Sequence, residues 1–309
     1  MAAIGECMLE LSECATHHDQ PLLQLGYGGD TLNTALYAAR LGVTTHYVTA
    51  LGDDPRSAWL IGQWQQEGIA TQWVYTLAGR QPGLYWITTD QQGERFFAYW
   101  RGESAARNLF IDEARVAALT EQLAAVGLVY FTGITLSLYE LNSLHRFWQM
   151  LEALRDRGVI LVFDGNYRPK GWQYSREARA AFSQAYRLCH IALPTYDDEV
   201  MLFSDTSEQA TLDRLAAQGL QEVVLKRGPR GCLVLAEGKC NEVLATPCPK
   251  PMDTTAAGDS FNAAYLAARM TGNDPIVAAR AGNTLAGTVI QHRGAIIPPS
   301  AMPKINGLA

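Results

Sequence analysis

The chain has 309 residues, 48% of them hydrophobic, with a formal net charge of −6, and that length and apolar share support a large core in one or two domains. The acidic balance and the lack of a dense lysine or arginine run argue against a nucleic-acid backbone as partner. No apolar stretch of about 18 residues offers a membrane span, and "MAAIGECMLELSE" has no basic region followed by an apolar run, so no secretory signal is expected.

In chain order, "AAIGECMLEL" reads as a first strand. In "LGYGGDTLNTALYAARLG", Leu32, Ala35, Leu36 and Ala39 recur at helical spacing, and Gly42 follows the end of that helix. "TTHYVTALG" reads as a strand and Asp54 to Glu67 as a helix. "GLVYFTG", "VILVFDGN", "HIALP" and "EVVLKRG" are short, mostly apolar and β-branched, as strands buried on both faces are. Helices are expected between them around 138–157, 175–187, 196–203 and 207–218, and two more over 259–291, broken at Gly272–Pro275. This alternation predicts an α/β fold, a parallel sheet with helices on both faces. The six cysteines (7, 14, 189, 232, 240, 248) form no C-x-x-C and are expected as small buried residues in a reducing cytoplasm. The pair His17-His18 reads as a surface turn.

Residues 83–102, "GLYWITTDQQGERFFAYWRG", differ. They read as a β-hairpin turning at Asp90–Gly93. Leu84-Tyr85-Trp86-Ile87 and Phe96-Phe97-Ala98-Tyr99-Trp100 put apolar groups on both faces, where a half-wet hairpin would alternate. Either the hairpin tucks into the main core, or one face closes over a ligand while the other meets a partner subunit.

Two glycine clusters carry candidate chemistry. Gly26, Gly28 and Gly29 precede Asp30 and Asn33. A dinucleotide fingerprint fails here, because its third glycine would fall at Thr31, and no Walker A loop exists in the chain. The cluster does allow close backbone approach. Asp30 either caps the helix or joins Asn33 in gripping sugar hydroxyls. In the second cluster, "DTTAAGDSFNAAYLAARMTG", Ala256, Ala257 and Gly258 leave helix-start N–H groups unshielded, a seat for an anion. Asp259 beside them is either an N-cap or a chemical group, and the helix dipole is expected to lower its pKa.

The two stretches "GYGGDTLNTALYAARLG" and "DTTAAGDSFNAAYLAARMTG", and their spacing near either end of the chain, resemble the signature motifs of the PfkB, or ribokinase-like, sugar kinases. "PGLYWITTD", "ERFFAYWRGESAA", "VFDGNYRPKGW", "VVLKRG" and "TVIQHRGAIIP" resemble the branch acting on 2-keto-3-deoxygluconate. The resemblance implies one ribokinase-like domain over 1–309, a three-layer core with a parallel sheet, carrying a small β-sheet lid from about 8–27 and 71–104. It implies ATP-dependent phosphorylation of the terminal hydroxyl of a sugar acid, with Mg²⁺, in the cytoplasm, by a homodimer paired through the lids. Asp259 would be the general base and Ala256, Ala257 and Gly258 the anion hole. Gly29, Asp30, Thr31 and Asn33 would hold the sugar, with Tyr85, Tyr99, Arg101 and Arg168 contacting it. Asn166, Arg168, Lys226, Arg227, Gly228, Gly231 and Asn283 would lie along the nucleotide. The family's N-x-x-E appears here as "YDDE", so Glu199 is a candidate for Mg²⁺, with a solvated helix-start carboxylate as the other reading.

For the substrate, guanidinium forks at Arg101 and Arg168 suit a carboxylate, and a neutral hexose would strand a buried arginine. A sugar phosphate would also satisfy both, so a fructokinase- or phosphofructokinase-like enzyme stays open. So does a non-catalytic sugar-acid binding protein on the same fold, against which Asp259 argues. The missing fingerprint argues against a nicotinamide-dependent oxidoreductase.

Overall fold

The computed structural model describes residues 1–17, 20–89 and 95–305, with side chains described except at 14–17, 20, 21, 89 and 95. The expected hairpin turn at 90–93, the side chains of His17 and Cys14, and His18 lie outside the described residues. The strands are β1 (Ala2–Ile4), β2 (Met8–His17), β3 (Gln20–Gly28), β4 (His46–Gly52), β5 (Val74–Leu77), β6 (Gly83–Thr89), β7 (Arg95–Trp100), β8 (Leu128–Thr132), β9 (Ile160–Asp164), β10 (Ile191–Ala192), β11 (Glu222–Lys226), β12 (Cys232–Ala236) and β13 (Lys239–Val243). The helices are α1 (Asp30–Arg40), α2 (Pro55–Gln66), α3 (Glu113–Leu123), α4 (Gly133–Leu136), α5 (Leu141–Asp156), α6 (Ser175–Leu188), α7 (Tyr196–Phe203), α8 (Glu208–Ala216), α9 (Ala257–Met270) and α10 (Pro275–Val289).

Nine strands form the main sheet in the order β13-β12-β11-β10-β9-β8-β1-β4-β5. Neighbours from β11 to β5 run parallel, and β12 and β13 join antiparallel. Alternation along each strand feeds two cores. Tyr130 of β8 packs with α1, α2, α9 and α10, while Val129 and Phe131 pack with α3, α5, α6 and α8. The apolar strand segments read from the sequence are therefore buried on both faces, as a helix-covered parallel sheet requires. Among the described residues no helix is long and apolar enough to cross a membrane. Cys7, Cys189 and Cys232 are buried free thiols, but Cys240 is exposed.

Two segment readings need correction. "AAIGECMLEL" is two strands, not one: β1 belongs to the main sheet and β2 to the lid. The break falls at Gly5, where an added Cβ would lie 2.2 Å from the Thr31 hydroxyl. The lid is the four-stranded sheet β3-β2-β6-β7. Its second segment begins at Gly83 rather than near 71, because β5 pairs with β4 at the edge of the main sheet.

Helix α9 is buried on nearly every side, since it packs on α1 and α10 as well as the sheet core, and its run of alanines permits that closeness. At Gly282 of α10 an added Cβ would sit 2.7 Å from the Phe261 ring. Overpacking of this kind costs about 1–3 kcal/mol. Gly282→Ala is therefore expected to lower the calorimetric Tm by several degrees with the far-ultraviolet circular dichroism unchanged; an unaltered Tm would show that the α9–α10 contact yields freely.

Candidate active site

The loop before α9 is held by Asp253, whose carboxylate accepts from the Thr255 N–H and hydroxyl at 3.0 and 2.6 Å and from the Gly294 N–H at 2.8 Å. Ala256 then takes a left-handed conformation, φ 58°, as the residue preceding the helix. That conformation is costly for a residue with a Cβ and concentrates at functional sites. The Ala257 N–H turns back to the Thr254 carbonyl at 3.2 Å, so it is not the open donor that the sequence implied, while the Gly258 N–H has no acceptor among the described residues. Asp259 lies in the first turn of α9 and makes no capping bond, which removes the N-cap reading. Instead its Oδ2 accepts from Asn33 Nδ2 at 2.8 Å, and its backbone carbonyl accepts from the Thr34 hydroxyl at 3.2 Å.

Those bonds bring the starts of α9 and α1 together. Asp30 is the first residue of α1, one position past its N-cap, Gly29. Its Oδ2 accepts from Thr132 Oγ1 at 2.6 Å and Asn166 Nδ2 at 2.9 Å. Asn166, expected along the nucleotide, is thus spent on Asp30 and holds φ 39° to do so. Thr31 is buried with its hydroxyl 3.1 Å from that of Tyr47, so it belongs to the core rather than to a sugar pocket. Gly29 is required here, because a Cβ would lie 2.2 Å from the Glu6 carbonyl.

A third carboxylate, Asp164 at the end of β9, completes the cluster. Its Oδ2 accepts from Lys226 Nζ at 3.0 Å and Asn262 Nδ2 at 2.6 Å. Lys226 also donates to Asn262 Oδ1 at 3.1 Å. Asp164 Oδ1 is buried without a hydrogen-bond partner among the described residues. Asp30, Asp164 and Asp259 thus lie close enough to act on one another, with Lys226 beside the last two. Burial, then the Asp30 charge, push the Asp259 carboxyl up to about 7, while the Asn33 hydrogen bond works the other way. Burial likewise raises Asp30, against its bond from Thr132. The expectation of a lowered Asp259 pKa is overturned: a helix start offers about 0.3–1 kcal/mol, too little to offset lost hydration and a like charge.

Beyond Gly258 opens a cavity of about 400 Å³, lined by Lys226, Gly228, Gly231, Gly258 and Asn283 and walled by apolar groups such as Phe261 and Ile290. That size and character suit an aromatic ligand with a polar end. Arg227, expected in it, turns away to Glu208 at 3.1 Å and Glu242 at 2.6 Å.

On the lid side, Tyr85 donates to Glu10 Oε2 at 2.5 Å. Tyr85, Phe97 and Tyr99 lie within 6.3 Å of one another, centroid to centroid. Arg101 and Arg168 both act electrostatically on the Tyr99 hydroxyl. Neither arginine is buried and unpaired, which corrects the premise used for the substrate. Arg101 pairs with buried Glu6 at 2.5 Å. The Arg168 side chain is 57% exposed, 3.4 Å from Asp198. Glu199 is not solvated either. It is fully buried, accepts from Tyr186 at 2.5 Å and pairs with Arg214 at 2.7 Å, and burial raises its carboxyl to about 7. Among the described residues no three histidine, cysteine, aspartate or glutamate side chains gather as a metal cage.

Sequence reasoning missed Asp164, Asn262, Thr132 and Glu6. A signal existed for each acid. Asp164 ends the otherwise apolar "ILVFD", at the carboxyl end of a parallel strand, where ligands bind in such sheets. Glu6 interrupts an apolar run.

The sequence profile of the pfkB family of carbohydrate kinases matches residues 1–302. The chain is 44% identical over 310 aligned positions to a 2-dehydro-3-deoxygluconokinase of Dickeya dadantii, covering 98% of each chain. It is 42% identical, with the same coverage, to the 2-dehydro-3-deoxygluconokinase of Escherichia coli K12. Its fold is similar to that of the ATP-bound fructokinase of Xylella fastidiosa, with a TM-score of 0.84 at 18% identity over 99% of this chain and 96% of that one.

The raised Asp259 pKa has a stability signature. The fold favours the protonated carboxyl, so its contribution is full below the ordinary carboxylate range, about pH 4, and is lost as pH rises through about 7. Asp259→Asn, which does not titrate, should therefore melt above the wild type by a margin that widens between pH 5 and pH 8.5. A margin independent of pH would show that Asp259 carries no such burden.

Proposed function

The chain belongs to the pfkB family of carbohydrate kinases, and from that premise we propose that it transfers the γ-phosphate of ATP to the terminal primary hydroxyl of 2-keto-3-deoxy-D-gluconate. The observation that carries this reading is the junction at Asp259. One carboxylate, oriented by a sugar-side amide (Asn33), stands one residue from an open helix-start N–H at the mouth of a nucleotide-sized cavity.

In that reaction the acceptor oxygen bonds to the γ-phosphorus, the bond to the β-phosphate oxygen breaks, ADP leaves, and the hydroxyl proton passes to Asp259. Asn33 sets the rotation of the Asp259 carboxylate. The raised pKa makes Asp259 a stronger base than an ordinary aspartate, close to what proton transfer at neutral pH requires. The Gly258 N–H faces the developing phosphate charge. Lys226, at 3.5 Å from where a Gly258 Cβ would stand, lies beneath the same point. Mg²⁺ bound with the nucleotide neutralises phosphate charge. The orphaned Asp164 Oδ1 and the carboxylate of Asp198 fit such a hard cation, whereas Glu199 is committed to Arg214 and Tyr186. Tyr85, Tyr99, Arg101 and Arg168 supply the wall that reads the sugar acid. A fructokinase-like reading draws support from the Arg101–Glu6 pair, since a neutral sugar would not strand that arginine. The full-length identities of 44% and 42% to two 2-dehydro-3-deoxygluconokinases favour the acid. ATP as phosphate donor fits a cytoplasmic enzyme.

The lid also supports a homodimer. Strand register puts Glu10, Ser12, Tyr85 and Tyr99 on the cleft face. Leu11, Leu25, Trp86 and Ala98 form a row on the other, with Leu23, Phe96 and Trp100 beside it. Leu23, Leu25, Phe96 and Trp100 are all exposed. An apolar sheet face of this kind fits a second copy of itself.

Two measurements test the reading. ADP release should be far faster with 2-keto-3-deoxygluconate than with fructose or fructose 6-phosphate, and Asp259→Asn should lower kcat about 10²–10⁴-fold with little change in either KM. Preference for a neutral hexose, or a variant that keeps most of its kcat, would overturn it. For the lid, Trp86→Glu should sediment as a monomer at micromolar concentration where the wild type sediments as a dimer. A monomeric wild type would end the dimer proposal.

A further inference from the structure

Four chain passages link the main sheet to the lid, and side chains or backbone from all of them meet at Glu6. Glu6 lies between β1 and β2, where the chain first leaves the sheet. At Gly29, where it returns into α1, an added Cβ would sit 2.2 Å from the Glu6 carbonyl. At Gly83, where β6 begins, it would sit 2.9 Å from Glu6 Oε1 and 3.2 Å from Arg101 Cβ. Arg101 follows β7, where the lid ends, and its Nη2 stands 2.5 Å from Glu6 Oε2.

The environment of this carboxylate is unusual. Glu6 is 2% exposed, and the 2.5 Å contact is a close ion pair without hydrogen-bond angles, so neither Glu6 oxygen has a hydrogen-bond partner among the described residues. The Glu6 charge also acts on Cys7, Tyr47 and Tyr139, which are buried and which burial keeps protonated. Arg101 is the cation paired with this buried carboxylate, and a buried carboxylate needs such a partner. The converse is equally informative. Arg101 Nη2 is buried against Glu6, yet the Arg101 side chain as a whole stays 24% exposed. A guanidinium has five N–H groups in a rigid planar fork, enough for a carboxylate on each of two edges. Arg101, one residue past β7, lies on the side of Tyr99, on whose hydroxyl its charge acts.

We propose that Glu6 is a positioning residue for substrate recognition: it grips one edge of the Arg101 guanidinium at the root of the lid and so presents the other edge to the carboxylate of the sugar acid. The inference rests on the sugar-acid reading above. It assigns to the Glu6–Arg101 pair a second consequence. The substrate carboxylate meets an arginine that is already partnered, so recognition depends on the fork's orientation more than on a bare positive charge.

Steady-state kinetics of the full-length enzyme test this, with calorimetric titration of 2-keto-3-deoxygluconate in the absence of ATP. Glu6→Gln keeps the shape and removes the charge. It should raise KM and Kd for the sugar acid tenfold or more while kcat and KM for ATP stay within twofold. Glu6→Asp, which keeps the charge on a shorter arm, should fall between, and it carries the test if Glu6→Gln does not fold. On an Arg101→Ala background the Glu6 substitutions should change sugar-acid affinity less than twofold, because their effect runs through Arg101. An unchanged or lowered KM in Glu6→Gln would overturn the proposal, the latter by showing that Glu6 competes with the substrate. Equal effects with and without Arg101 would overturn it too, by showing a general structural role. If the wild type itself ignores 2-keto-3-deoxygluconate, the functional reading has failed instead, and the wild-type control separates the two.

Discussion

The crowding of Asp30, Asp164 and Asp259, with the Lys226 ammonium bonded to Asp164 and acting on Asp259, is the constraint on which the rest of the structure depends. Three acids so close are tolerated only because the fold brings donors to each. Thr132 and Asn166 serve Asp30, Asn262 and Lys226 serve Asp164, and Asn33 serves Asp259. Even so, one oxygen of Asp164 is left without a hydrogen-bond partner among the described residues. An arrangement that is unfavourable in isolation, and held by packing around it, is typical of a site built to take up a further cation and a proton.

The main sheet and two helices supply the means. Parallel strands β8, β9 and β11 deliver Thr132, Asp164 and Lys226 at their carboxyl ends, and α1 and α9 arrive at the same edge by their amino ends. The geometry puts acidic side chains within a few residues of the open Gly258 N–H. That combination suits a phosphate and the hydroxyl it is to meet. The lid stands across from it, anchored where Glu6 and Arg101 join its first and last passages.

Charge on this chain is divided by burial rather than by sequence position. Glu199 and Asp198 are neighbours at the start of α7, yet one is sealed beneath Tyr186 and Arg214 and the other stays at the cleft beside Arg168. Arg227 and Lys226 are also neighbours, at the point where β11 ends, and one turns to Glu208 and Glu242 while the other turns to Asp164. A one-residue step on a strand or helix start reverses which side of the sheet a charge serves.

Local pattern alone determined much of this protein. Apolar β-branched runs marked four parallel strands, helical spacing marked α1 and α9, and glycine clusters marked the two helix starts that carry Asp30, Asn33 and Asp259. These features are legible because their physical causes, periodicity and steric freedom, act within a few residues. Other features were decided only by tertiary structure. The Asp164–Lys226–Asn262 set joins three distant segments, and Asn166 turned to Asp30 through a contact spanning 136 residues. The split of "AAIGECMLEL" between two sheets followed from where its pairing partners lie. The Asp259 pKa reversed direction for the same reason. The helix dipole is a property of its own segment, whereas lost hydration and the nearby Asp30 charge exist only once the chain has folded around them.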